Sequence, residues 1–390
     1  MNLKSIQSGA KFPVVIKTLH NLEDELAAEL EQLGAQEIHK HQRAVNCVCD
    51  IRGLYRFNYR LRTALRILIP LHEFEFRNSD DFYRKAMKFE WNDWLNNKST
   101  FAIDTNVKSE IFNHSHFAAL RLKDAIADYF KERTGYRPDV DRDNPDFRLH
   151  LFVQEGHATL LLDSSGESLN RRGYRSSGAK APLNEVLAAG MILKSGWDGH
   201  QDLCIPFCGS GTLLIEAASI AKKTSPHTAN RKFAFQRWPN FNDEIWSDVL
   251  NEISATSQIP CRINGSDHHP KALASAKENL HNAGYINDVS IEQQDFFKLL
   301  PENPETVLIL NPPYGERMEE DDAVKLYGDI GTRLKHHWDG CTAWIIGSDP
   351  DAMKNIGLKP SKKIELMNGP LVCRYMKFEL FRGKRHERKS

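Results

Sequence analysis

No apolar stretch of this 390-residue chain approaches the length needed to cross a bilayer, and its first residues lack the charged-then-apolar plan of a signal peptide. Those absences give the expectation of a soluble, cytoplasmic protein. Net charge is missing too, since 52 lysines and arginines balance 52 aspartates and glutamates. A neutral chain does not coat nucleic acid indiscriminately, so polyanion binding would have to come from local patches. Cysteines are few, odd in number and scattered, and they read as reduced core thiols. Cys47 and Cys49 share a strand face but have no second pair to complete a zinc site. His114-x-His116, His268-His269 and His336-His337 lack Cys or carboxylate partners at ligand spacing, so no metal is assigned. No repeat or low-complexity tract occurs. The length and apolar content suit at least two domains with separate cores.

What is present is concentrated in a few strand ends. Thr306–Leu310 is an apolar, β-branched run that reads as a buried strand, and Asn311-Pro312-Pro313-Tyr314 ends it. The two prolines stop pairing and fix the backbone, so the Asn311 side chain and the next carbonyl project from the strand's carboxyl end. Ligands bind at that end in open α/β sheets. An amide oxygen and a carbonyl can each accept a hydrogen from an exocyclic amine, and Tyr314 offers a face for a base. Asn-Pro and Pro-Pro are also ordinary loop dipeptides, and alone the tetrapeptide leaves the two readings level.

Upstream, Asp202–Pro206 reads as a strand, Phe207–Thr212 as a glycine turn and Leu213–Ala218 as a helix start. This is the nucleotide-side loop of a Rossmann-like unit. Gly209 and Gly211 let a ligand lie against the backbone, and the helix N-terminus points free N–H groups at it. No Lys follows, so it is not a P-loop, and the third glycine of the dinucleotide fingerprint is absent. Arg262–Asp267 and Val289–Phe296 supply two more strands with carboxylates, Asp267 and Asp295, at their tips. Either aspartate alone reads as a cap or a solvated loop residue; their order between the glycine loop and Asn311 gives the joint reading its weight. The helix Pro270–Ala283 separates them, with Pro270 in its first turn and Gly284 as its cap.

Together these residues resemble the class I S-adenosylmethionine-dependent methyltransferases that modify an exocyclic nucleobase amine. Arg171-Arg172-Gly173-Tyr174-Arg175, Ala181–Ala189, Pro206–Ala218, Asn311–Arg317 and Val140-Asp141-Arg142-Asp143 extend the resemblance to THUMP-containing RNA methyltransferases. Within that group the chain is most similar to the bacterial enzymes that methylate guanine N2 in large-subunit ribosomal RNA. The resemblance implies S-adenosylmethionine bound by Pro206, Cys208, Gly209, Ser210, Gly211, Thr212, Asp267 and Asp295. It also implies an RNA partner, 23S rRNA or a ribosomal precursor, with Asn311, Pro312, Pro313 and Tyr314 holding the base. The family's Asp before the loop proline is Ile205 here, and Asp202 lies too early to substitute. Backbone groups, Asn184 or Glu185 are then expected at the cofactor's methionine end. Adenine N6 methylation, and an RNA-binding assembly factor with an inactive methyltransferase half, are the competing readings.

The expected architecture is α/β. A ferredoxin-like domain covers residues 1–68, a THUMP domain 69–165 and a linker 166–182. A Rossmann-like methyltransferase domain covers 183–390, with a mostly parallel seven-stranded sheet. In the N-terminal half, Val14–Thr18, Ala44–Asp50, Ile67–Glu75, Phe101–Thr105 and the alternating stretches around Leu149–Val153 and Ala158–Asp163 read as strands. Asn21 reads as the cap of a helix carrying Leu22, Leu26, Leu30 and Leu33, and further helices are expected over Gly53–Leu65, Asp80–Lys88 and Ser115–Glu132. Thr342–Gly347 reads as a fifth parallel strand, and Asn368-Gly369 as the turn of an edge hairpin between Lys362–Met367 and Leu371–Leu380. Arg56, Arg60, Arg62 and Arg66 crowd one predicted helix. Lys222-Lys223, Arg231-Lys232 and Arg237 interleave with Phe233, Phe235, Trp238 and Phe241, a pattern favouring RNA, although Trp238 and Phe241 fit a core equally well. For the basic tail Arg382–Lys389, a solvated face and an RNA contact are equal readings.

Overall fold

The computed structural model describes residues 3, 6, 9–112, 114–175, 183–228, 231–256, 258–314 and 320–381. Ser176–Gly178, Ala181-Pro182, the Gly315–Arg317 extension and the basic tail therefore lie outside the described residues. The chain forms two compact units. One comprises Met1–Thr18, Leu26–Leu169 and Asn230–Glu252; the other comprises Leu19–Glu25, Asn170–Ala229 and Ile253–Ser390. No described helix is long and apolar enough to cross a membrane.

The first unit is built on one sheet of eight strands. These are β1 (Phe12–Lys17), β2 (Gln36–His41), β3 (Ala44–Cys49), β4 (Arg66–Glu75), β5 (Thr100–Lys108), β6 (Asp139–Val140), β7 (Phe147–Gln154) and β8 (His157–Asp163). Their order is β2-β3-β1-β4-β8-β7-β5-β6. Alternation decides the faces: Phe12, Val14 and Ile16 of β1 and Leu149, Leu151 and Val153 of β7 are buried. The helix Ile51–Arg60 is capped by Asp50, which accepts from Gly53 N at 2.7 Å, and it stops at the extended Leu61, short of the expected Leu65. Strand β2 went unpredicted because its residues are polar and mostly exposed, leaving no period to read.

Two expectations are overturned here. The aromatics of the 233–241 stretch are core, not an RNA platform: Phe233, Phe235 and Trp238 are buried, and Phe235 stacks on Tyr55 at 4.3 Å. Burying such rings in a closed cluster removes more apolar surface from water than leaving them for a ligand. The arginines are likewise engaged internally. Arg56 donates two hydrogen bonds of 2.6 Å to Glu252, Arg52 pairs with Asp248 at 2.7 Å, and Arg60 lies 3.9 Å from Glu252. Arg66 begins β4 rather than lying on the helix, and it binds Asp163. Arg237 donates to Pro145 O at 2.8 Å and Arg231 to Glu167 O at 2.6 Å.

The second unit holds a seven-stranded sheet: β9 (Leu203–Pro206), β10 (Ile263–Asp267), β11 (Ser290–Gln293), β12 (Val307–Leu310), β13 (Thr342–Gly347), β14 (Lys362–Asn368) and β15 (Leu371–Glu379). The order is β11-β10-β9-β12-β13-β15-β14, with the first five strands parallel and β15 antiparallel to both of its neighbours, β13 and β14. The helix Pro270–Ala283 has the expected bounds, with Gly284 at φ 80° closing it. The hairpin is present, but its turn is one residue later than predicted. Asn368 pairs with Leu371, so Gly369-Pro370 makes the loop, with Gly369 at φ 60°. A positive φ at the first central residue followed by proline suits a type II′ turn, whereas a type I′ turn on Asn-Gly would demand positive φ at both positions. Asn21 is also not a helix cap; it adopts φ 62° and donates its amide to Glu365 O at 2.8 Å.

Candidate active site

Strand β9 sits between β10 and β12, so its neighbours on the two sides connect in opposite directions along the sheet. The crevice beyond the carboxyl ends of β9 and β12 is the topological switch point of the fold. The glycine loop leaves β9 at this crevice and Asn311 leaves β12 beside it.

The loop is held from β10. Cys208 N donates to Ser266 O at 2.9 Å, and Asp267 Oδ2 accepts from Gly209 N at 3.0 Å. The other Asp267 oxygen accepts from His269 N at 2.9 Å. Asp267 thus fixes the loop and caps the next turn, while each carboxylate oxygen keeps a further lone pair. Gly211 stands at φ 82°, and a Cβ there would meet Ala276 at 3.2 Å, so glycine is required for the approach of the helix Pro270–Ala283. A Cβ at Gly209 would meet nothing within 4 Å. That backbone is open to a ligand lying against it. No side chain caps the following helix, Thr212–Ala221, so its first N–H groups also face the crevice.

Asp295 lies two residues beyond the end of β11, which is shorter than predicted, and caps a one-turn 3-10 helix through Phe297 N at 3.1 Å. The backbone joins the two acidic tips, because Gln294 N donates to Asp267 O at 3.2 Å. Asn184 caps the helix Glu185–Ser195, accepting from Val186 N at 2.9 Å. Glu185 is buried and pairs with Arg175 Nε at 2.5 Å; Arg175 also donates to Thr212 Oγ1 at 3.2 Å. Arg175 therefore ties Glu185 to the first residue of the glycine-loop helix. Sequence reasoning missed that role, though the residue stood in a motif already singled out. Ile205 is fully buried. Asp202, at the opposite end of β9, accepts from Arg262 N at 2.9 Å and from Asn303, which commits it away from the crevice. Burial, followed by the nearby Asp267 carboxylate, pushes the Cys208 thiol up to about 12, so it is protonated at neutral pH and is no nucleophile.

At β12 the geometry is specific. Asn311 Oδ1 is buried and has no hydrogen-bond partner among the described residues. An orphaned buried acceptor costs about 1–3 kcal/mol, which a fold retains where the atom has another use. Pro312 is buried and Pro313 half-buried. Tyr314 does not swing freely: its hydroxyl accepts from Asn368 Nδ2 at 3.0 Å, at the hairpin end.

A five-stranded parallel core with a hairpin edge and a ligand crevice at β9/β12 is the class I S-adenosylmethionine-dependent methyltransferase fold. The open Gly209 backbone, the free helix N-terminus and the acidic tips of β10 and β11 suit that cofactor. Residues 172–377 match the RMKL-like methyltransferase domain, residues 76–163 the THUMP domain and residues 14–68 the RlmL ferredoxin-like domain. The chain belongs to the RMKL-like methyltransferase family. It is 37% identical over 369 residues to a ribosomal RNA large subunit methyltransferase K/L of Syntrophotalea carbinolica, covering 91% of this chain and 52% of that one. The chain thus spans about half the length of the K/L relatives it matches. A Synechocystis protein, slr0064, carried under the name of an RNA methyltransferase, is 34% identical, with 95% of this chain and 97% of that one covered. The crystal structure of SMU.472 complexed with SAH superposes with a TM-score of 0.87 at 28% identity, covering 96% of this chain and 99% of that one.

Proposed function

We propose that the chain transfers a methyl group from S-adenosylmethionine to guanine N2 in RNA, with 23S rRNA as the substrate and the cytoplasm as the compartment. The observation that carries this reading is the orphaned Asn311 Oδ1 at the switch point. The cofactor supplies an electrophilic methyl group. The chain's own residues hold the nucleophile, which is poor because the amine lone pair is delocalised into the ring. Asn311 Oδ1 and the Pro312 carbonyl accept the two amine hydrogens and localise the lone pair. Tyr314, steadied by Asn368, stacks on the base, which must be unpaired or extruded to reach the crevice. Asp267 and Asp295 receive ribose and adenine of the cofactor, and Asn184 or Glu185 lies toward its methionine end. As the nitrogen–carbon bond forms, the sulfur–methyl bond breaks, S-adenosylhomocysteine leaves and one amine proton passes to solvent; alignment and electrostatics supply the rate, without a dedicated general base.

The THUMP match and the K/L relatives support RNA over DNA, with the N-terminal half placing the substrate. The test is incubation of the purified chain with labelled S-adenosylmethionine and 23S rRNA, then nucleoside mass spectrometry. N2-methylguanosine is expected. N6-methyladenosine would overturn the guanine assignment, and no product together with no cofactor binding would leave the reading of an inactive RNA-binding protein.

A further inference from the structure

The strand end before the loop proline carries Ile205, a fully buried apolar side chain, so no carboxylate leaves β9 to meet the cofactor's methionine end. That end is an α-amino acid, with an ammonium and a carboxylate on one carbon at neutral pH. A crevice that takes both charges out of water has to match both.

Two groups were expected there, and the structure separates them. Asn184 is committed: its Oδ1 accepts from Val186 N at 2.9 Å and from Leu187 N at 3.3 Å as the cap of the helix Glu185–Ser195. Both lone pairs of that oxygen are thereby used. Glu185 is committed only in part. Its side chain is 4% exposed and Oε1 accepts from Arg175 Nε at 2.5 Å, while Oε2 makes no hydrogen bond among the described residues. Arg175 is divided in the same way. Nη2 uses both hydrogens, donating to Leu183 O at 2.7 Å and to Thr212 Oγ1 at 3.2 Å. Nη1 is buried and donates to nothing among the described residues. A buried guanidinium nitrogen with its charged hydrogen bonds unmade costs more than a neutral orphan, and a fold retains it where an anion completes it. Thr212 opens the helix that follows the glycine loop, and no side chain caps that helix. Guanidinium and helix N-terminus therefore bring positive charge to one corner of the crevice, with the Glu185 carboxylate beside them.

We propose that Arg175 and Glu185 together bind the α-amino acid of S-adenosylmethionine, Arg175 Nη1 donating to its carboxylate and Glu185 Oε2 accepting from its ammonium. Pair and zwitterion are each neutral overall, and head to tail their four charges alternate in sign, so no net charge is buried when they meet. The direct bond between Arg175 and Glu185 fixes both groups before the cofactor arrives, which lowers the ordering cost of binding. An acid on the preceding helix thus does what the missing strand-end acid would do. The inference deepens the cofactor assignment of the fold class and is independent of guanine, of RNA and of Asn311.

The test is calorimetric titration of the full chain with S-adenosylhomocysteine and with 5′-methylthioadenosine, which keeps adenosine and sulfur but lacks the α-amino acid. The parent is expected to bind S-adenosylhomocysteine at least about tenfold more tightly. Glu185→Gln and Arg175→Met should each weaken S-adenosylhomocysteine about ten- to a hundredfold and leave methylthioadenosine at parental affinity. Decarboxylated S-adenosylmethionine separates the two roles, because it keeps only the ammonium: Glu185→Gln should weaken it, and Arg175→Met should not. Glu185→Gln is isosteric, so the test stands on it even where Arg175→Met fails to fold. The inference is overturned if the parent binds S-adenosylhomocysteine and methylthioadenosine equally, if Glu185→Gln weakens both alike, which would mark the pair as scaffold, or if it changes neither. Methylation is not read at any step, so a chain that modifies another base would overturn the proposed function and leave this assignment standing.

Discussion

Replacing Asn311 by Ala separates a catalytic acceptor from a structural one, because the two roles predict opposite signs for stability. Asn311 Oδ1 is buried without a partner, so truncation removes no internal hydrogen bond of that oxygen. It relieves a desolvation penalty of about 1–3 kcal/mol and loses a smaller packing contribution from a half-buried side chain. The melting temperature should therefore stay level or rise. Turnover should fall, because the acceptor acts on charge developing at the amine nitrogen; removing one preorganised contact of this kind costs about 10²–10³ in rate. Cofactor affinity should hold, since the contact between Gly209, in the loop after β9, and Asp267, at the end of β10, is left intact. Asn311→Asp keeps an acceptor and should retain more activity than the alanine variant. Single-turnover methylation of RNA, cofactor calorimetry and thermal unfolding are measured together on each variant. A parental rate in Asn311→Ala would refute the amine-holding role, and a clear loss of melting temperature would mark the residue as structural.

Asp267→Ala should weaken S-adenosylmethionine by roughly ten- to a hundredfold, because the charged acceptor for Gly209 N and His269 N is lost with the proposed ribose contact; unchanged calorimetry would remove Asp267 from the site. Phe235→Ala should destabilise the first unit by about 3–5 kcal/mol, as for other buried aromatics, and lower its melting transition while cofactor affinity holds. An unchanged transition would reopen the ligand-platform reading of that stretch. The hydrogen bonds from Arg56, more than any other influence, hold Glu252 below its ordinary carboxyl range. Its folded pKa is thus below the unfolded value of about 4.3, so its stabilisation is present above that pH and disappears as pH falls through the folded value. The melting-temperature gap between parent and Glu252→Gln should accordingly be open at pH 7 and narrow as the pH falls below the ordinary carboxyl range; a gap independent of pH would show that the pair is not the cause.

Much of the site was legible locally. The glycine turn, the proline stop after β12, the helix Pro270–Ala283 and the order of carboxylate-tipped strands all follow from backbone preferences and periodicity among near neighbours in the chain. Such signals act over a few residues, so a sequence states them without help from the fold. The tertiary structure decided whatever depended on a distant partner. Phe235 beside cations is equally suited to stacking on a base or on Tyr55, and only the return of its segment to the helix Ile51–Arg60 chose the latter, with Phe233 stacked behind it. Arg56 looked like an RNA contact until Glu252, 196 residues on, was brought against it. The same dependence hid Arg175, whose link to Thr212 spans 37 residues, and Asn368, whose role at Tyr314 follows from a turn set one residue late. It also left Arg175 Nη1 buried without a partner among the described residues, since that position exists only once the segment before the glycine loop lies against the helix Thr212–Ala221. An unpaired side chain is a property of what surrounds it, and that is settled by packing rather than by its neighbours in the chain.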